Sequence, residues 1–117
     1  MNQSRADRIA ESIQKELGSM IQREVKDPRI GFVSVTHVDL SRDLGVAKVF
    51  VSCLGTKDQQ EESMAGLKSA AAFLRGEVGR RLKLRISPML DFRADASIEE
   101  SLHIQQMMKD LPGTHET

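Results

Sequence analysis

Near the start of the chain, apolar residues recur three and four positions apart: Ile9, Ile13, Leu17, Met20 and Ile21. That spacing lays one apolar stripe along an amphipathic helix. Ser4 followed by Asp7 resembles an N-terminal capping box, with Asp in place of the usual Glu. Asp27 precedes Pro28, and a residue before proline avoids helical backbone, so the helix ends near Val25.

The period then shortens to two. FVSVTHVDL (32–40) and VAKVFVSCL (46–54) are rich in β-branched residues and flank the turn-like SRDLG, which predicts two strands. In the second, Ala47, Val49, Val51 and Cys53 share one face, and Lys48, Phe50 and Ser52 the other. In the first, Val33 and Val35 differ in parity from Val38 and Leu40. A bulge near Thr36–His37 brings all four to the core side.

Helical spacing returns after GTKDQQ with Met64, Leu67, Ala71, Leu74 and Val78, over about Gln60 to Leu82. LRISPMLDFRA then alternates, with Leu84, Ile86, Leu90 and Phe92 inward and Arg85, Met89, Asp91 and Arg93 outward. Pro88 has no amide hydrogen to donate, which favours an edge strand or a local break there. Ser97 and Glu100 form another capping box, opening a weakly amphipathic helix through Ile98, Leu102 and Met108.

With the long central helix bent into two, the order is α-β-β-α-α-β plus a trailing helix. This predicts an α+β domain whose three-stranded sheet carries its helices on one face. A right-handed crossover makes the second and third strands parallel. The other face, with Lys48, Phe50 and Arg85, is left open. A length of 117 residues fits one domain, taken as 1–111, with a flexible tail at 112–117, PGTHET.

Composition narrows the setting. A single cysteine excludes an internal disulfide framework and points to a reducing compartment. The charged start lacks the apolar run of a secretory signal, and no stretch approaches a membrane span. A soluble, cytoplasmic, monomeric protein without membrane contact is expected.

The chemistry of an enzyme is hard to find. His37, His103 and His115 lie far apart with no ligand pairs at metal spacing. Cys53 sits on a predicted inner strand face with no cation nearby to activate it. Neither GTKD nor GEVG completes a phosphate or dinucleotide motif, and the carboxylates form no catalytic pair. No enzymatic activity, cofactor or metal is expected.

Charge is more informative by position than in sum. Lys plus Arg and Asp plus Glu are equal at 17 each, yet residues 51–90 hold seven cations and four acids. Arg75, Arg80, Arg81, Lys83 and Arg85 crowd RGEVGRRLKLR. Cations near a helix C-terminus complement its dipole, which accounts for Arg80 and Arg81. It does not account for Lys83 and Arg85 beyond the helix, nor for Lys26, Arg29 and Arg42 in loops around the first strand. With Lys48 on the open face, these basic residues suggest a surface that tracks a phosphate backbone. The chain has no Trp or Tyr, so direct base readout is weak, with Phe50 the candidate stacking ring.

KELGSMIQREVKDPRIGFVSVTHVDLSRDLGVAKVFVS, AFLRGEVGRRLKLRISPMLDF and DASIEES together resemble the ribosome-binding factor A family, over about residues 5 to 110. The resemblance implies a type II KH-like fold. It also implies a non-catalytic factor that binds the small (30S) ribosomal subunit and its 16S rRNA. Late maturation of that rRNA, including 5′-end processing, growth in the cold, and action alongside ribosome-associated assembly GTPases are further implications. One segment departs from the family pattern. Where the family carries an Ala-x-Gly interhelical kink, this chain reads Ala70-Ala71-Ala72. Either Ala72 is strained, or the kink is shallower, or the bend moves toward Gly66 or Gly76. Alanine's helix preference favours a helical Ala72. On the residues alone, a protein-interaction or regulatory αβ module, or a small-molecule-sensing domain, stands as the alternative.

Overall fold

Ser4 starts the first helix as its sequence position predicts. In the computed structural model, which describes residues 4–95, α1 spans Arg5–Arg23, and Ser4 Oγ accepts from the Asp7 amide at 3.0 Å. Ile13, Leu17, Met20 and Ile21 are buried, and Ile9 packs at the core margin. Glu24 caps the C-terminal end, close to the expected stop.

Strands β1 (Val33–Leu40) and β2 (Val46–Cys53) form an antiparallel hairpin, and the register shifts between Val35 and His37. The expected bulge is therefore present, with Thr36 as the extra residue. Val33 and Val38 are buried, while Val35 and Leu40 pack against the same core. The bulge is pinned on several sides: Thr36 Oγ1 hydrogen-bonds to Phe50 O and to Asp95, and Gln14 of α1 donates to Thr36 O at 3.4 Å.

Helix α2 spans Lys57–Arg81 without interruption, a correction to the expected pair of helices. The observed order is α-β-β-α-β. Among the described non-glycine residues, positive φ occurs at Leu44 and Lys83, not at Ala70, Ala71 or Ala72. A run of alanines gives the chain no reason to leave the helix. The start also lies earlier than the apolar spacing implied. Thr56 and Gln59 form a complete capping box, with Gln59 Oε1 accepting from the Thr56 amide at 2.8 Å.

Strand β3 (Met89–Ala94) pairs parallel to β2, giving the sheet order β1-β2-β3. It begins later than the alternation suggested. Residues 82–88 form a loop, so Ile86 is 73% exposed rather than inward, and Arg85 leaves the sheet. Buried Pro88 marks the break. Leu17, Leu67, Leu74, Val49 and Phe92 join α1, α2 and the inner sheet face in one core. The predicted C-terminal helix, the tail, His103 and His115 lie outside the described residues. No described helix is long and apolar enough to cross a membrane.

Candidate nucleic-acid interface

The outer face of the sheet balances its charges. Lys48 lies in register between Asp39 and Asp91, and Phe50 between His37 and Arg93. Arg93 pairs with Asp91 at 2.9 Å. Phe50 is half-buried, its ring stacked on His37 with centroids 6.0 Å apart. Phe32, just before β1, is instead 81% exposed. It is the more accessible ring, overlooked because the alternation counted it into the strand.

Several expected cations are tied up within the fold. Arg29 forks onto Asp27, with Nη2 at 2.7 Å and Nε at 3.1 Å. Hydrogen bonds from the Arg29 side chain, then from its amide, hold the Asp27 carboxyl down at about 2. Arg80 pairs with Glu77 at 2.6 Å, one helical turn away. Arg81 meets Glu24, Glu77 at 3.1 Å and Glu16 at 3.7 Å. The hydrogen bond with Glu24 pushes the Arg81 guanidinium above its ordinary range and Glu24 below the ordinary carboxyl range. Arg75 Nε donates to Ser87 O at 3.1 Å, and Ser87 Oγ returns a bond to Arg75 O at 2.7 Å. Each of these groups already holds a partner within the chain.

Lys26, Arg42, Lys48, Lys83 and Arg85 are exposed and form no ion pair among the described residues. They do not form one patch. Lys26 is in the loop after α1, Arg42 in the hairpin turn and Lys48 on the outer sheet face. Lys83 and Arg85 line a cleft of about 480 Å³ with Arg5 and Ile9 of α1 and Asp43–Gly45 of the turn. Lys83 enters it through the helix ending. Lys83 N bonds to Arg80 O and Leu84 N to Gly79 O, with Lys83 in left-handed backbone at φ 54°. This is a Schellman ending with lysine where glycine is usual. Arg5 and Arg8 were missed in the sequence because exposed helix charges read as ordinary solvated groups.

No group of three potential metal ligands occurs among the described residues, and Cys53 packs against the core. The chain matches the family model for ribosome-binding factor A over residues 5–108.

The chain belongs to the ribosome-binding factor A family.

The ribosome-binding factor A of Desulfitobacterium hafniense is 46% identical over 111 residues, 95% of this chain and 89% of its own length. That of Natranaerobius thermophilus is 47% identical over 111 residues, covering 95% and 85%. The solution structure of a candidate ribosome-binding factor A from Thermotoga maritima aligns with a TM-score of 0.71 and 34% identity, over 85% of this chain and 95% of its own. A homology model of the Thermus thermophilus ribosome-binding factor A, fitted into the cryo-EM map of a 30S complex, aligns with a TM-score of 0.63 and 28% identity, over 74% and 91%. The family's KH-like fold is the α+β arrangement seen here, a three-stranded sheet with two helices.

Proposed function

We propose that this chain binds the 30S ribosomal subunit through its 16S rRNA and assists late maturation of that rRNA, including 5′-end processing. It acts as a cytoplasmic, monomeric and non-catalytic factor, alongside assembly GTPases, and supports growth in the cold. The observation that carries this reading is the fold shared with the Thermus thermophilus relative fitted into a 30S complex. The exposed cations without internal ion pairs fit binding through RNA shape and backbone charge.

Gradient sedimentation of a cell extract tests the proposal. The protein is expected to travel with free small subunits and to leave them as salt is raised. A protein that stays at the top of the gradient at low salt, with free 30S subunits present, would sink it. Comparing 16S rRNA 5′ ends between wild-type and deletion cells at low temperature tests the maturation role, and identical processing would remove it.

A further inference from the structure

We propose that the cleft between the start of α1 and the α2–β3 loop is a seat for an RNA phosphodiester backbone, held by Arg5, Arg8, Lys83 and Arg85. The proposal rests on the 30S-binding reading and deepens it by naming the end of the molecule that meets RNA.

Two adjoining hollows make the seat, one of about 310 Å³ and one of about 480 Å³. They share Arg5, Ile9 and Leu84 as lining residues. Arg8 is on the rim of the first, and Lys83 and Arg85 on the rim of the second. All four cations are exposed and lack an ion pair among the described residues. By contrast, Arg29, Arg80, Arg81 and Arg93 each hold a carboxylate. The fold thus divides its arginines into paired and unpaired sets, and Arg5, Arg8 and Arg85, unpaired and from two chain-distant segments, meet here.

Helix α1 sorts its charges to the same end. Arg5, Arg8 and Ser12 face the hollow shared with Leu82 and Leu84. Asp7, Glu11 and Gln14 instead line a separate hollow against His37 and Val38 of β1. The acid on the rim is Asp43, whose carboxylate accepts from Ser41 Oγ at 2.7 Å and from the Gly45 amide at 3.0 Å. It is engaged within the turn, and the four cations outnumber it.

The rim is also held in place. Hydrogen bonds of the helix ending anchor Lys83 and Leu84, and the Arg75–Ser87 exchange anchors the loop's far side. A ligand therefore meets cations on a backbone that is already ordered, which lowers the entropy cost of binding. An apolar floor of Ile9, Leu82 and Leu84 reduces solvent screening beside them. An anionic strand of regular charge spacing fits this rim, and its backbone rather than its bases would be contacted.

Binding of the variant R5Q/R8Q/K83Q/R85Q to purified 30S subunits across a salt series tests the seat, with thermal melting to confirm folding. The slope of log affinity against log salt is expected to fall by about 0.7 to 0.9 per cation, roughly 3 in total. R5Q/R8Q, which leaves the loop untouched, should show about half that fall. The charge-neutral control D91N/R93Q on the sheet face should match wild type. A folded variant with wild-type affinity and slope, or a control that loses as much, overturns the seat and leaves 30S binding intact. If wild type does not bind 30S subunits, the functional reading has failed, and a short oligouridylate replaces them as probe. The same loss of slope on that strand would still support the seat. An unchanged slope, or no binding by wild type, would overturn it.

Discussion

Arg81, in the last turn of α2, donates to the carboxylate of Glu24, the residue that caps the end of α1. The same guanidinium reaches Glu16 of α1 and Glu77 of its own helix, so one cation fastens α2 to two carboxylates of α1 and its cap. Its side chain is only 24% exposed, against 67% for Arg80. Arg81→Gln would leave those carboxylates facing one another without their counter-charge. We expect a clear fall in thermal midpoint, larger than for Arg80→Gln, which loses a single exposed pair. Equal falls in the two variants would show that Arg81 does not fasten the helices.

Acid should loosen the molecule at identifiable sites. Asp27 titrates at about 2 in the folded chain against an ordinary 3.8, owing first to the Arg29 side chain. A folded pKa below the unfolded one contributes stability fully above 3.8 and loses it as pH falls toward about 2. Glu24, bonded to Arg81, and Glu77, bonded first to Arg80, are also lowered from 4.5, so their contribution fades as pH drops below that value. Denaturant titrations through this range should show stability falling with pH, and Asp27→Asn should flatten the part below 3.8. An unaltered pH slope in that variant would remove Asp27 from the account.

Lys83 combines a strained backbone with a proposed contact, and a single substitution separates them. Lys83→Gly should stabilise the fold by about 0.5 to 1 kcal/mol, because relief of left-handed strain outweighs glycine's extra unfolded-state freedom. The same change should weaken RNA binding and lower its salt dependence by about 0.7 to 0.9. Loss of stability in an equilibrium unfolding experiment would contradict the strain; unchanged RNA binding would contradict the contact.

Three small residues of α2 should respond with different signs. Ala72→Gly places glycine in a continuous helix and should cost about 1 kcal/mol. Gly76→Ala should gain a similar amount, since nothing lies within 4 Å of the added methyl group. Gly66→Ala should lose stability despite the better helix former, because its Cβ would lie 2.6 Å from Ile30 Cγ1. Denaturant titration of the three variants checks the order. A stabilised Ala72→Gly would show that a bend is favoured at that position.

Local features of the fold were legible and distant ones were not. The parity change in β1 located the bulge, and the alternation of β2 identified its buried face, because each signal lies within a few residues. The same alternation misled at Arg85–Ile86, although Leu84 does pack against the core. The chain turns there through a left-handed Lys83, and no glycine announces the turn. The Thr56–Gln59 box was readable, but the apolar spacing drew attention to a later start. For the site, Lys83 and Arg85 were read as cations beyond the helix, and Arg85 was placed on a sheet face that balances its own charges; Lys83 instead belongs to the helix ending, and Arg85 to the loop after it. Arg81 looked like a surface cation because Glu16 and Glu24 are far away in the chain. Its pairing depends on how α1 and α2 pack, and so does the meeting of Arg5 with Lys83.

The central strand has neighbours of very different origin. Val49 pairs with Val38 across a short turn and with Phe92 beyond the whole of α2. Closing the hairpin orders few residues, whereas seating β3 requires a long segment to be laid across the sheet first. Folding should therefore proceed from the hairpin outward, with β3 added late. As an edge strand with one neighbour, β3 should also open more readily than β2 in native-state hydrogen exchange. Slower exchange in β3 than in β2 would reverse that order. Because the Lys83–Arg85 loop runs directly into β3, the last strand to arrive is also the one that gives the loop its final shape.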